Sequence, residues 1–147
     1  MKLNLALHKI AEIMRAELFS NDPEQKVSSF VTDSRVVSPG DAFIALRGQK
    51  HDARAFIPQV LEKGAAVVVA EAEGFTVPRD TKASFLLVEN ALKSLQALSK
   101  YHRMNSTLKV AAITGSNGKS TTKQMLRAIC QTAGETVANM GNFNNQF

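Results

Sequence analysis

The sequence predicts an α/β protein: a small N-terminal α/β domain followed by the start of a parallel-sheet domain of the phosphate-loop (P-loop) type. Three observations point there. Stretches with strand character alternate with stretches of helical period along most of the chain. Two apolar runs, "AAVVVAE" from residue 65 and "LKVAAIT" from residue 108, read as strands buried on both faces, as in a parallel sheet. The second leads directly into "GSNGKS" and a helix-forming stretch, in the order strand, glycine turn, helix.

Taken in order, Leu7, Ile10, Met14 and Leu18 are spaced as one face of a first helix. "SNDPEQ" is a loop, "KVSSFVTDS" a strand, "SPGD" a turn, "DAFIAL" a second strand and "RGQKHDA" a polar loop. "RAFIPQVLEKG" is a short helix, with Phe56, Ile57, Val60 and Leu61 toward a core and Gly64 as its stop. Pro58 belongs in its first turn, where a missing N–H costs little. After the strand "AAVVVAE", the loop "GFTVPRDTKA" offers a domain boundary near residue 82, dividing the chain into 1–82 and 83–147. "SFLLVE" is a strand, and Asn90 can cap the helix that follows, with Leu92, Leu95 and Leu98 along one side. "KSTTKQMLRAICQTAG" is a helix stopped by Gly134, and "ETVAN" begins another strand. A second domain ending after one β-α-β unit reads as the N-terminal part of a longer protein.

The 147 residues are 44% hydrophobic and 21% charged, as in soluble globular chains. No stretch approaches the ~18 consecutive apolar residues of a membrane span. The N-terminus has no cleavage-site pattern, and one cysteine, Cys130, makes no internal disulfide. A cytoplasmic protein without membrane or nucleic-acid partners is expected. The formal charge of +5 comes from scattered Lys and Arg, not from a basic run. His8, His51 and His102 lack metal-ligand spacing. Met104, Met125 and Met140 are assigned to packing, and Asp33 to capping the turn after its strand.

The stretch "ITGSNGKSTT" keeps Gly118, Lys119 and Ser120 of the G-x-x-x-x-G-K-[ST] pattern, but Ile113 stands where the first glycine belongs. Gly115 and Gly118 permit a tight turn, and a helix opening there presents N–H groups and a dipole to a phosphate. Lys119 is placed to reach phosphate oxygens, and Ser120 to offer its hydroxyl to Mg2+. The alternative is an ordinary strand-to-helix turn with "NG" at its tip.

"TGSNGKSTT" resembles the ATP loop of the Mur ligases, in which an apolar strand residue replaces the first glycine. "VTDSRVVSPGDAFIALRG", residues 31–48, is similar to the substrate-binding N-terminal domain of that family. "GNFNN", residues 141–145, resembles the members that add D-alanyl-D-alanine. The chain departs from the family after "RG": where D-G-H is usual, it has Asp52, Ala53 and Arg54. Either the local turn or this end of the uridine pocket then differs.

The resemblance implies an ATP-dependent ligase adding D-alanyl-D-alanine to UDP-N-acetylmuramoyl-tripeptide during peptidoglycan precursor synthesis. In such a reaction a carboxylate is converted to an acyl phosphate, which the incoming amine then attacks. Residues 1–82 would bind the UDP substrate and 83–147 begin the ATP-binding domain. The resemblance assigns ATP to Gly115, Ser116, Asn117, Gly118, Lys119, Ser120 and Thr121, the catalytic role to Lys119 and the magnesium contact to Ser120. It assigns the UDP substrate to Ser34, Arg35, Gly48, Asn142, Asn144 and Asn145. The parent is expected to be a monomer, and this part of it inactive alone. Two alternatives stay open: the family member that adds the third stem residue, and a non-catalytic nucleotide-binding module.

Overall fold

The computed structural model describes residues 2–48 and 52–139. The chain divides after Ser106 into two compact units.

The first unit is built on a six-stranded sheet. Its strands are β1 (Lys2–Ala6), β2 (Glu17–Phe19), β3 (Lys26–Val31), β4 (Ala42–Ile44), β5 (Val67–Glu71) and β6 (Ser84–Val88). Their order across the sheet is β1-β3-β4-β5-β6-β2. The four inner strands run parallel, and β1 and β2 close the two edges antiparallel. Helices α1 (Leu7–Met14) and α3 (Ala91–Met104) cover one face, and α2 (Ile57–Glu62) packs on the other.

The alternation of side chains along each strand builds both cores. Val67 and Val69 of β5 join Leu7, Ile10, Met14 and Leu98, while Val68 and Ala70 join Ile57, Val60 and Phe85. All five residues of β5 and of β6 are buried, as a parallel strand covered on both faces requires. This agrees with the α/β class expected.

Several local signals have the expected outcome. Pro58 lies in the first turn of α2. Gly64, just past that helix, has φ +85, and an added Cβ would lie 3.3 Å from Pro39. The Asn90 side chain accepts the Lys93 amide at 2.8 Å and caps α3.

Other expectations are corrected. The first helix ends at Met14, because Arg15 adopts a left-handed conformation with φ 53 and turns the chain back. Leu18 therefore lies on β2, paired with Leu86, and not on the helix. Phe56 lies in a 3-10 turn (Ala53–Phe56) and is 46% exposed, because the helical register begins one residue later. The buried stripe of α3 is Ala91, Ser94 and Leu98 rather than one through Leu92. Ser94 is tolerated there because its hydroxyl donates to the Met14 carbonyl at 3.1 Å. The boundary near residue 82 falls between two paired strands. Five residues of β6 pair with β5, from Ser84 opposite Val67 to Val88 opposite Glu71, so the division comes after Ser106 instead.

The second unit contains one regular element among its described residues, helix α4 (Lys119–Gln131). The strands expected at "LKVAAIT" and "ETVAN" are not formed among the described residues. Leu108 and Val110 are 63% and 65% exposed. A strand exists only through a neighbour that completes its hydrogen bonds, and the described residues of this unit provide none. Met104 and Met125, assigned to packing, are also exposed. No helix among the described residues is long and apolar enough to cross a membrane.

Candidate functional site

Ligands of open parallel sheets bind beyond the carboxyl ends of the strands. In the first unit, two of the sequence-selected segments lie there. Ser34 and Arg35 follow β3, and Gly48 follows its parallel neighbour β4.

The turn after β3 is organised by Asp33. Its carboxylate accepts the Arg35 amide at 2.9 Å, and its main-chain carbonyl accepts the Val36 amide at 3.2 Å. The capping role read from the sequence is thus met. The same carboxylate takes the Arg35 guanidinium through Nε at 2.9 Å and Nη2 at 2.7 Å. Ser34 is buried, whereas the Arg35 side chain remains 85% exposed and open to an anion.

Hydrogen bonds from the Arg35 side chain and amide lower the Asp33 carboxyl from its ordinary 3.8 to about 2. A lowered carboxylate pKa favours the folded loop above pH 3.8, and that contribution is lost as the pH falls toward 2. In a carboxyl NMR titration, Asp33 should therefore have its midpoint near 2, and Arg35→Ala should return it toward 3.8. A midpoint near 3.8 in the unaltered chain would show that the pair does not persist in solution.

Sequence reasoning missed Lys63. Its Nζ donates to the carbonyls of Ser34 at 2.8 Å and Arg35 at 3.1 Å. The contact joins residues 28 and 29 positions apart, and no local pattern signals it.

Residues 52–54, where the chain departs from the family pattern, form a hydrogen-bonded turn. The Asp52 carboxylate accepts the Arg54 amide at 2.9 Å and starts the 3-10 turn. The Arg54 guanidinium grips both oxygens of that carboxylate and donates to the Glu73 carbonyl. Arg54 holds the Asp52 carboxyl below its ordinary value. Arg47, which precedes Gly48, bridges to Asp52 through the backbone and pairs with Glu73 at 3.0 Å.

In the second unit, the glycine loop leads into α4 as expected. Gly118 is the residue before the helix, with φ 76, and Gly115 has φ 146, both conformations that favour glycine. No side chain caps the helix, and its first backbone bond runs from Thr122 to Gly118 at 2.9 Å. The amides of Lys119, Ser120 and Thr121 precede that bond, at the positive end of the helix dipole. Lys119 curls back so that its Nζ donates to the Gly115 and Ser116 carbonyls. A helix N-terminus, a glycine at the turn and a neighbouring ammonium together fit a phosphate group. Ser116 and Asn117 form the exposed tip of this turn. Asn142, Asn144 and Asn145 lie outside the described residues. Among the described residues, no cluster of three or more His, Cys, Asp or Glu side chains could hold a metal ion.

Fold and loop thus define an α/β protein with a glycine turn at the N-terminus of a helix. Comparison with known proteins places it further. The model described as "Mur ligase family, catalytic domain" matches residues 26–105, and that of the "Mur ligase middle domain" matches residues 113–147. The chain belongs to the Mur ligase family. It is 36% identical over 136 residues to UDP-N-acetylmuramoyl-L-alanyl-D-glutamate--2,6-diaminopimelate ligase of Syntrophomonas wolfei, covering 90% of this chain and 28% of that protein. It is 35% identical over 137 residues to UDP-N-acetylmuramoyl-tripeptide--D-alanyl-D-alanine ligase of Bacillus subtilis, covering 92% and 30%. Among solved structures, the D-alanyl-D-alanyl ligase of Acinetobacter baumannii matches with TM-score 0.83 and 33% identity, over 99% of this chain and 32% of that one. MurF of Thermotoga maritima in complex with ADP matches with TM-score 0.66 and 34% identity, over 79% and 26%. The chain therefore spans less than a third of the length of these relatives.

Proposed function

We propose that this chain forms the UDP-substrate domain and the beginning of the ATP-binding domain of a cytoplasmic, monomeric ligase. The ligase joins D-alanyl-D-alanine to UDP-N-acetylmuramoyl-tripeptide in peptidoglycan precursor synthesis. The observation that carries the reading is the glycine turn and Lys119 at the start of α4, in a chain whose two segments match two Mur ligase models. Members of this family are ATP-dependent amide ligases, and one structural relative holds ADP.

In this reading, the amides at the start of α4, with Gly115, Ser116, Asn117, Gly118 and Thr121, hold the ATP phosphates. Lys119 leaves the Gly115 and Ser116 carbonyls and moves its charge onto the phosphate being transferred. Ser120 is the residue of this loop that would hold magnesium, which when bound would supply further neutralising charge. Ser34, Arg35 and Gly48 take the UDP part of the substrate, the guanidinium exchanging Asp33 for a diphosphate oxygen pair. Asn142, Asn144 and Asn145 complete that substrate's contacts.

A second reading keeps the chemistry and changes the amine. The diaminopimelate-adding relative matches as well as the D-alanyl-D-alanine-adding one, so the third-residue ligase stays in view. "GNFNN" favours the first. Phosphate release by the full-length protein separates the two. Release that needs UDP-muramoyl-tripeptide and D-alanyl-D-alanine supports the first; release with the UDP-dipeptide and diaminopimelate supports the second.

Arg35→Ala in the full-length enzyme should raise the KM for the UDP substrate about tenfold, the worth of a charged hydrogen bond, and leave the KM for ATP unchanged. An equal rise in both would assign Arg35 to folding or domain closure instead.

A further inference from the structure

The segment from Thr32 to Asp41 joins two parallel strands without a helix, yet it is anchored at both ends to the C-terminus of α2. At the far end, the Gly40 amide donates to the Gly64 carbonyl at 3.0 Å, and Gly64 leaves no spare room beside Pro39. In the middle, Val37 is buried against Ile57 and Val60. At the near end the anchor is a side chain, the Lys63 ammonium, which takes two successive carbonyls, those of Ser34 and Arg35.

We propose that Lys63 is a positioning residue for anion recognition by the turn after β3, aligning Ser34 and Arg35 to receive the diphosphate of a uridine nucleotide. The inference rests on the reading of that turn as the UDP contact. Two consecutive carbonyls drawn toward one ammonium fix both peptide planes. The Arg35 side chain is thereby directed outward, where it is 85% exposed. Asp33 holds the guanidinium and Lys63 holds the backbone beneath it, so the fork is oriented before the anion arrives. The Lys63 charge also lies near enough to help keep Asp33 ionised. Without it, two carbonyls lose their donor, and the turn loses a cation beside its anion site.

UDP binding to the full-length protein, measured by calorimetry, tests this with Lys63→Met, Lys63→Gln, Lys63→Arg and Arg35→Ala. Lys63→Met and Lys63→Gln should each weaken UDP about tenfold, with kcat at saturating substrate within twofold of normal. Lys63→Arg, which restores charge and donors, should recover most of the affinity; a purely steric role would not be rescued this way. Unchanged UDP affinity in Lys63→Gln, alongside weakened affinity in Arg35→Ala, would overturn the inference and leave the reading of the turn intact. Should Lys63→Met fail to fold, the Gln and Arg variants decide. A protein that takes up no UDP, or an Arg35→Ala variant that binds it normally, would defeat the reading of the turn and this inference with it.

Discussion

Lys119→Ala in the full-length enzyme is expected to lower turnover by roughly two orders of magnitude or more, with the folded state undisturbed. Phosphoryl transfer to a carboxylate brings two anions together, so its barrier is set largely by how well cations neutralise the transition state. In the proposed reaction, removing one preorganised charge aimed at the transferred phosphate costs about 3–4 kcal/mol of barrier. Lys119 contributes little to stability: among the described residues, its ammonium contacts the exposed loop carbonyls of Gly115 and Ser116. A charge placed on the phosphate in transit acts mainly in the transition state, so the KM for ATP should rise less than kcat falls. The test is steady-state phosphate release alongside a thermal melt. Near-normal turnover would remove Lys119 from the mechanism, and a lowered melting temperature would give it a structural role.

Phe43→Ala is expected to destabilise the first unit by about 3–5 kcal/mol, the range for a buried aromatic removed from a core. Phe43 is fully buried on β4, between β3 and β5, in the core it shares with Phe85, Ile57 and Val60. Its backbone is held by strand pairing on both sides, with Val31 opposite on β3 and Val68 on β5, so the sheet cannot close the cavity. The six-residue helix α2 and the loop carrying Val37 cover this core and are free to settle into it. Domains of this kind are stable by about 5–15 kcal/mol, so the loss is a large fraction of the whole. Tyr101, the single tyrosine in a chain without tryptophan, lies on α3 and reports unfolding of this unit by fluorescence in urea. A loss below about 1 kcal/mol would mean that α2 or that loop refills the space.

Much of the architecture was legible because its signals are local. The β-branched run at Val67 to Val69 marks a strand buried on both faces. Pro58 and Gly64 bracket a helix through backbone angles that other residues resist, and Asn90 caps one through a side-chain oxygen. Asp33 marks a turn for the same reason. Edge strands β1 and β2 were not legible. β2 has three residues, and its partner on β6 lies more than sixty positions away. Leu18 has helical spacing from Met14, and only that distant pairing, together with the left-handed Arg15, takes it off the helix.

The chemistry of the candidate sites divides along the same line. The α/β class, the order of most strands and helices, and the glycine turn with Lys119 at the start of α4 were readable from the chain alone. Each depends on backbone preferences and on groups within a few residues of one another. The folded arrangement places β6 in the first sheet, so that the unit runs to Ser106 instead of ending near residue 82. It also decided that Lys63 holds the turn carrying Ser34 and Arg35, and that Arg54 closes on Asp52 and the Glu73 carbonyl. Strand pairing and long-range hydrogen bonds of this sort join residues according to where the sheet places them, and no local pattern in the chain encodes that placement.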